Sequence, residues 1–137
     1  MSFKPEYLQA AKQAMDKAYV PYSHFPVGVA LIGQNNKTYL GCNVENAAYP
    51  IGNCAEPSAI AAMVLDGCTQ IKAIIVMGKG SELVTPCGGC RQRIREFAND
   101  DTPIYICSPD ALRLETNLAE LLPYSFGPDN LKDVKKK

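Results

Sequence analysis

The last two predicted strands are joined by a link of only four residues. Residues 103–107 form an apolar run of strand length, and a weaker strand resumes at residues 112–115. Two parallel neighbours need a crossover of about a dozen residues or more, so this link makes the two strands antiparallel neighbours. Residues 27–32 and 38–42 flank a five-residue turn cluster and predict a hairpin at the start of the sheet.

Helical segments alternate with these strands. A further apolar run, residues 73–77, has the composition of a buried strand, and Asn117 is predicted to cap a short helix near the end of the chain. The longer helical patterns cover residues 5–19, 54–66 and 90–98. Strands that alternate with helices in this way predict an α/β fold in which helices cover a sheet.

Length and charge narrow the class of protein. The 137 residues suggest one domain, since domains average about 150 residues. The 14 basic and 14 acidic side chains cancel, which argues against nucleic acid or an anionic membrane as a partner. No apolar run approaches the roughly 20 residues of a membrane span, and the N-terminus lacks a signal-peptide pattern. We expect a soluble, cytoplasmic domain over residues 1–137, with a flexible tail from about residue 130.

Six cysteines are the unusual feature of the composition. Their frequency is far below that of a disulfide scaffold and no secretion signal precedes them, so free thiols are the better interpretation. The segment Cys87-Gly88-Gly89-Cys90 could serve zinc binding or thiol–disulfide exchange. A redox motif normally opens the helix after the first strand of its fold, whereas this one follows several elements. We therefore favour a metal site.

Cys54 supplies a third thiol at another predicted helix start. Backbone N–H groups and the positive end of the helix dipole stabilise thiolates, so two helix starts can converge on one ion. Three thiolates with a fourth position left to water form a catalytic zinc site, and zinc makes that water acidic enough to supply hydroxide near neutral pH. Glu56, two residues after Cys54, can then act beside the water as a proton carrier.

The order of these motifs is a signature of zinc deaminases, in which Cys or His, any residue and Glu precede Pro-Cys-x-x-Cys. Here Cys54-Ala55-Glu56 precedes Pro86 and the cysteine pair. Two alternatives stay open: a structural zinc site, which needs a fourth protein ligand, and an inert buried thiol at Cys54. The remaining cysteines are predicted to be inert buried thiols and the only histidine a surface residue: Cys42, Cys68, Cys107 and His24.

The chain resembles the short, homotetrameric, three-cysteine cytidine deaminases over nearly its whole length. Beyond the zinc motifs, the resemblance rests on residues 21–28 (PYSHFPVG), 41–47 (GCNVENA) and 121–123 (LLP). It implies a three-layer α/β/α fold around a five-stranded mixed sheet, with the last two strands antiparallel. It also implies a catalytic Glu56 and one Zn²⁺ per chain, whose ligands would be Cys54, Cys87 and Cys90.

The resemblance further assigns substrate contacts. Phe25 would lie against the pyrimidine face, while Asn43 and Glu45 would hydrogen-bond the sugar hydroxyls. Ala55 would also bind substrate, and Phe126 resembles the residue that family members insert into a neighbouring subunit's site. The structural alternatives are a core phenylalanine at position 25, a loop-capping Asn43 with a solvated Glu45, and a Phe126 that anchors the C-terminus on its own core.

Pro57 departs from the family pattern. Family members often carry an arginine there that donates hydrogen bonds to the zinc thiolates. Proline in the first turn of a helix is structurally harmless, because a backbone N–H at this position lacks an intrahelical partner in any case. The arginine's hydrogen bonds to the thiolates, which would compensate their negative charge, are however missing. Arg91, next to Cys90, is the expected replacement that supports the metal ligands.

The implied activity is hydrolysis of cytidine and deoxycytidine to uridine or deoxyuridine and ammonia, a pyrimidine salvage reaction. The replacement at Pro57 motivates an alternative substrate, another aminopyrimidine nucleoside such as a blasticidin S-like antibiotic, although Asn43 and Glu45 favour the plain nucleoside. A non-catalytic zinc module is a third hypothesis. The expected partners are a small pyrimidine nucleoside and other copies of the chain, with no nucleic acid and no membrane.

Overall fold

The sheet has five strands in the order β2-β1-β3-β4-β5. A computed structural model describes residues 2–135. The strands are β1 (Val27–Gly33), β2 (Thr38–Cys42), β3 (Ile71–Gly78), β4 (Pro103–Cys107) and β5 (Leu112–Asn117). Strand β1 pairs antiparallel with β2 and with β3, β3 pairs parallel with β4, and β4 pairs antiparallel with β5. The predicted mixed sheet, its first hairpin and its antiparallel last pair are confirmed.

Helices cover both faces of this sheet. They are α1 (Pro5–Met15), α2 (Ala55–Leu65), α3 (Gly88–Phe97), α4 (Leu118–Leu121) and α5 (Pro128–Lys135), with a 3-10 helix at Tyr49–Ile51. The first helix ends at Met15, earlier than the predicted residue 19, because the backbone of Tyr19 pairs instead with the segment after β2. Asn117 caps α4 as predicted, since its side chain accepts a hydrogen bond of 2.9 Å from the Glu120 N–H.

Alternating side chains of β3 supply two core layers. Ile74 and Val76 pack under α2, α3 and α4, whereas Ile75 and Met77 pack under α1. This alternation follows from the two-residue period of a strand. It produces the three-layer arrangement that the resemblance implies.

Gly41 allows β2 to approach α2 closely. A β-carbon at this position would lie 2.4 Å from the carbonyl oxygen of Ala55 and 2.5 Å from the nitrogen of Ala59. A side chain would therefore displace the start of α2, where Cys54 and Glu56 lie. The close contact between strand and helix fixes the position of that helix start.

The C-terminal segment forms a helix over residues 128–135, which extends into the segment predicted to be flexible. The side chain of Asn130 accepts a hydrogen bond of 2.9 Å from the Gly127 N–H, and Arg95 pairs with Asp129 at 3.6 Å. Residues 136 and 137, the end of the predicted tail, lie outside the described residues. Within residues 2–135, no helix is both long enough and apolar enough to cross a membrane.

Candidate active site

The starts of α2 and α3 meet on the same face of the sheet. Cys54 and Cys87 are the N-cap residues of these helices and have extended backbone conformations, while Cys90 lies in the first turn of α3. Cys54 follows a loop from the carboxyl end of β2 and Cys87 follows a loop from the carboxyl end of β3. These two strands are both antiparallel to β1, so their carboxyl ends lie at the same end of the sheet and the fold delivers both helix N-termini to one place. The predicted convergence of the two motifs is observed.

The three sulfur atoms of Cys54, Cys87 and Cys90 lie within 4.8 Å of one another. A tetrahedral zinc site with bonds of about 2.3 Å separates its sulfurs by about 3.8 Å, so this set fits one ion. Among residues 2–135, no fourth His, Cys, Asp or Glu joins the group. Three thiols without a fourth protein ligand are typical of a catalytic zinc site and not of a structural one.

The three thiols have different electrostatic surroundings. A hydrogen bond from the Cys90 backbone N–H lowers the pKa of the Cys87 thiol, as expected at a helix start. Burial raises the pKa of the Cys54 thiol and, far more strongly, that of Cys90, which is only 1% exposed. The predicted lowering is seen at Cys87, whereas burial is the largest influence on the other two thiols. A bound cation would oppose that desolvation.

Glu56 is buried beside the thiols, with 4% of its surface exposed. It is the second residue of α2, and burial raises the pKa of its carboxyl group above the ordinary value. Hydrogen bonds from its own backbone N–H and from the Cys90 thiol act in the opposite direction. A buried carboxyl group at the edge of a metal-ligand set is well placed to hold and release a proton.

Arg91 has three hydrogen-bond acceptors, all oxygen atoms. Its Nε–H donates to the Pro86 carbonyl at 2.7 Å, and its two Nη groups donate to the Leu121 carbonyl at 2.8 Å and to the Thr85 hydroxyl at 3.2 Å. These bonds fasten the segment that precedes Cys87 to the end of α4. Arg91 thus contacts the segment before Cys87 through one backbone carbonyl and one side-chain hydroxyl.

Asn43 and Glu45 lie on a segment that is paired to the start of α2. The N–H and carbonyl of Val44 both bond to Asn53 at 2.9 Å, which places this segment directly before Cys54. Ala55, also predicted to bind substrate, is buried in the first turn of α2. The segment of Asn43 and Glu45 and the buried Ala55 therefore both adjoin Cys54, one of the three gathered thiols.

The Glu45 carboxylate accepts three hydrogen bonds from the preceding loop. The N–H groups of Tyr22 and Ser23 donate to it at 3.0 and 3.1 Å, and the Ser23 hydroxyl donates to its second oxygen. The hydroxyl bond lowers the pKa of this carboxyl group. The Asn43 side chain also bonds to this loop, because it donates to the Phe25 carbonyl and accepts a hydrogen bond from the Val27 N–H.

The two aromatic side chains assigned to the substrate are open to solvent. The side chain of Phe25 is 47% exposed and lines a cavity of about 440 Å³ with Val84 and Thr85, just before Cys87. Phe126 is 59% exposed, although its carbonyl accepts a bond of 2.8 Å from Gln92 on α3. Neither ring has the burial expected of a core anchor.

The three cysteines predicted to be inert differ in burial, and His24 lies on the surface as predicted. Cys68 and Cys107 are buried, Cys42 is partly buried, and His24 is exposed with a left-handed φ of 56°. Ser23 bonds to Glu45 and to the Phe25 N–H, and the sequence did not single it out. A serine hydroxyl often accepts a hydrogen bond from the backbone N–H two residues further on, and Phe25 is two residues after Ser23. This local pattern could have indicated Ser23.

Comparisons with known proteins agree with this geometry. The family model described as "Cytidine and deoxycytidylate deaminase zinc-binding region" matches residues 1–106. A cytidine deaminase of Sporosarcina psychrophila is 45% identical over 121 residues, which are 88% of this chain and 89% of that protein. One from Halalkalibacterium halodurans is 37% identical, covering 92% and 96% of the two chains. The crystal structure of cytidine deaminase from Burkholderia pseudomallei superposes with a TM-score of 0.85 at 37% identity, covering 91% of this chain and all of that chain.

Proposed function

Because the chain belongs to the cytidine and deoxycytidylate deaminase family, we propose that it hydrolyses cytidine and deoxycytidine to the uridine nucleosides and ammonia. The observation that carries this proposal is the gathering of three sulfurs beside a buried carboxyl group. The relatives are cytidine deaminases, and they do not favour the antibiotic-like substrate. Residues 1–137 would form a single zinc-dependent deaminase domain.

The thiol groups of Cys54, Cys87 and Cys90 would hold one zinc ion. When bound, zinc acts as a Lewis acid that makes a water molecule acidic enough to supply hydroxide near neutral pH. Glu56 then takes the proton from the water and delivers it to N3 of the pyrimidine. The water oxygen would add to C4 as hydroxide, and Glu56 would later carry the proton of that new hydroxyl group to the amine. The C4–N bond then breaks and ammonia leaves as the C4 carbonyl forms, so one carboxyl group serves both proton transfers.

The remaining assigned residues would position the nucleoside. Phe25 offers a ring face for stacking against the pyrimidine, and Ala55 would contact the base from the start of α2. Asn43 and Glu45 carry the amide and carboxylate that suit sugar hydroxyls. Arg91 would be a positioning residue, because its three hydrogen bonds tie the segment just before Cys87 to the end of α4.

The test of the proposal combines metal analysis with a turnover assay. We expect one zinc ion per purified chain and a loss of cytidine absorbance in proportion to enzyme concentration. Deoxycytidine and an aminopyrimidine nucleoside antibiotic are measured in parallel. Zinc-loaded protein that leaves cytidine unchanged, or that turns over the antibiotic faster, would contradict the assignment.

We propose that the chain assembles as a homotetramer in which Phe126 reaches a neighbouring subunit's site. Support comes from large apolar side chains that remain exposed in one chain, among them Phe25, Tyr49, Ile51, Tyr124 and Phe126. Sedimentation equilibrium should give about four times the 14.9 kDa of one chain. Replacing Phe126 by alanine should raise KM for cytidine, and a monomeric mass would refute the tetramer.

The cytoplasm is the proposed location. All six cysteines are free thiols in the structure, as expected for a reducing compartment. Zinc binding by Cys54, Cys87 and Cys90 also requires reduced sulfurs.

A further inference from the structure

Ser23 lies in the middle of a hydrogen-bond chain between Glu45 and Phe25. Its hydroxyl donates to one carboxylate oxygen of Glu45, and the same hydroxyl oxygen accepts a bond of 3.0 Å from the Phe25 N–H. The other carboxylate oxygen accepts the N–H groups of Tyr22 and Ser23. A single acidic side chain thus determines the course of the loop that carries Phe25.

Asn43 completes this arrangement from the other side of Phe25. Its side-chain N–H₂ donates to the Phe25 carbonyl at 2.9 Å, and its side-chain oxygen accepts the Val27 N–H at 2.9 Å. The Phe25 carbonyl is therefore tied directly to Asn43, and its N–H is tied to Glu45 through the Ser23 hydroxyl. The half-exposed ring has little packing to hold it, and the left-handed φ of His24 makes the turn depend on these bonds.

The Glu45 carboxylate keeps room for a ligand. A carboxylate oxygen accepts about two hydrogen bonds, and the oxygen bonded by the Ser23 hydroxyl accepts only that bond among the described contacts. A cavity of about 370 Å³ lies beside it. The cavity is lined by Tyr22, Ser23, Glu45, Asn46, Tyr49 and Gly52. A sugar hydroxyl in this cavity and the Ser23 hydroxyl would both donate hydrogen bonds to the Glu45 carboxylate.

We propose that Ser23 is a positioning residue that couples recognition of the sugar by Glu45 to the placement of Phe25 against the base. The inference rests on the proposed function and deepens it. Through this coupling Ser23 sets how strongly the enzyme depends on the sugar hydroxyls, so it contributes to substrate specificity without touching the reacting atoms.

The test compares Ser23→Ala with the wild type on cytidine and on 2′,3′-dideoxycytidine, which lacks the hydroxyls that would donate hydrogen bonds to Glu45. For cytidine, we expect kcat/KM to fall about tenfold, mostly through a higher KM. A fall of about this size corresponds to the loss of one hydrogen bond to a charged group. For the dideoxy nucleoside we expect a fall of about threefold at most, since only the support of Phe25 is lost. Binding of unreactive uridine, measured by calorimetry, should weaken in step with the cytidine KM.

Two further variants separate coupling from loss of structure. Ser23→Thr keeps the hydroxyl and should restore the wild-type ratio between the two substrates. Ser108→Ala removes a similar serine that accepts hydrogen bonds from the N–H groups of Asp110 and Ala111 in the β4–β5 turn. None of the described hydrogen bonds of Ser108 reaches a residue assigned to the site, so this variant should leave both substrates unaffected. Thermal unfolding of each variant checks the fold, and Ser23→Cys replaces the alanine variant if that one unfolds.

Equal losses on both substrates, or no loss on cytidine, would overturn the coupling. Equal losses would mean that Ser23 only supports the loop. A wild-type enzyme without any cytidine turnover would instead refute the proposed function, and the two failures are therefore distinguishable in one set of assays.

Discussion

Replacing Glu56 by glutamine is expected to lower kcat for cytidine by at least about a hundredfold, the usual contribution of general acid–base catalysis. Glutamine has nearly the same shape but can neither accept the proton from water nor return one to the leaving amine. Glu56 is buried, so the neutral amide also avoids the cost of desolvating a carboxylate. We therefore expect the thermal unfolding temperature to stay at or above that of the wild type.

Steady-state kinetics with cytidine, zinc analysis and thermal unfolding check this prediction together. Glu96→Gln is the matched control, because Glu96 is an exposed glutamate on α3 that is not part of the thiol group. This variant should retain full activity. Undiminished turnover by the Glu56→Gln enzyme would remove Glu56 from the mechanism. A loss of activity accompanied by loss of zinc would mean that Glu56 supports the metal ligands instead.

Replacing Cys90 by serine is expected to abolish zinc retention and, with it, measurable turnover. Cys90 is the buried member of the three thiols, and serine is a much poorer zinc ligand than a thiolate. Two ligands remain, so dialysis against a mild chelator should strip the ion from the variant but not from the wild type. Because an ion that binds only the folded chain stabilises it, added zinc should raise the unfolding temperature of the wild type alone.

Cys42→Ser is the matched control for this variant. Cys42 is a free, partly buried thiol at the end of β2 and is absent from the group of three sulfurs. It should keep one zinc per chain and its full response to added zinc. Full zinc occupancy in the Cys90→Ser protein would place the ion elsewhere and contradict the assigned ligand set.

Pairing of the strands could be predicted because it follows from local features. The four-residue link before Leu112 and the turn cluster at residues 33–37 leave antiparallel pairing as the simple solution. Cys54 and Cys87 could likewise be placed at helix starts from the helical spacing that follows them. These features depend on neighbours in sequence, so a single chain is enough to find them.

The contacts that the sequence did not reveal join residues far apart in the chain. Ser23 and Glu45 are 22 residues apart, and Arg91 and the Leu121 carbonyl are 30 apart. Neither pair leaves a periodic pattern, and serine and arginine are ordinary surface residues. The early end of α1 has the same origin, because Tyr19 pairs with a segment more than twenty residues later. Local propensity cannot anticipate such tertiary hydrogen bonds.

The absence of a side chain at Gly41 has a consequence for engineering this protein. Substrate range would be altered by varying the residues that line the cavity near Glu45, such as Tyr22, Asn46 and Tyr49. A library that also randomised position 41 would yield mostly inactive members, because any larger residue pushes the start of α2 away from its strand. A designer should keep this glycine invariant, although it lies outside the cavity and performs no chemistry.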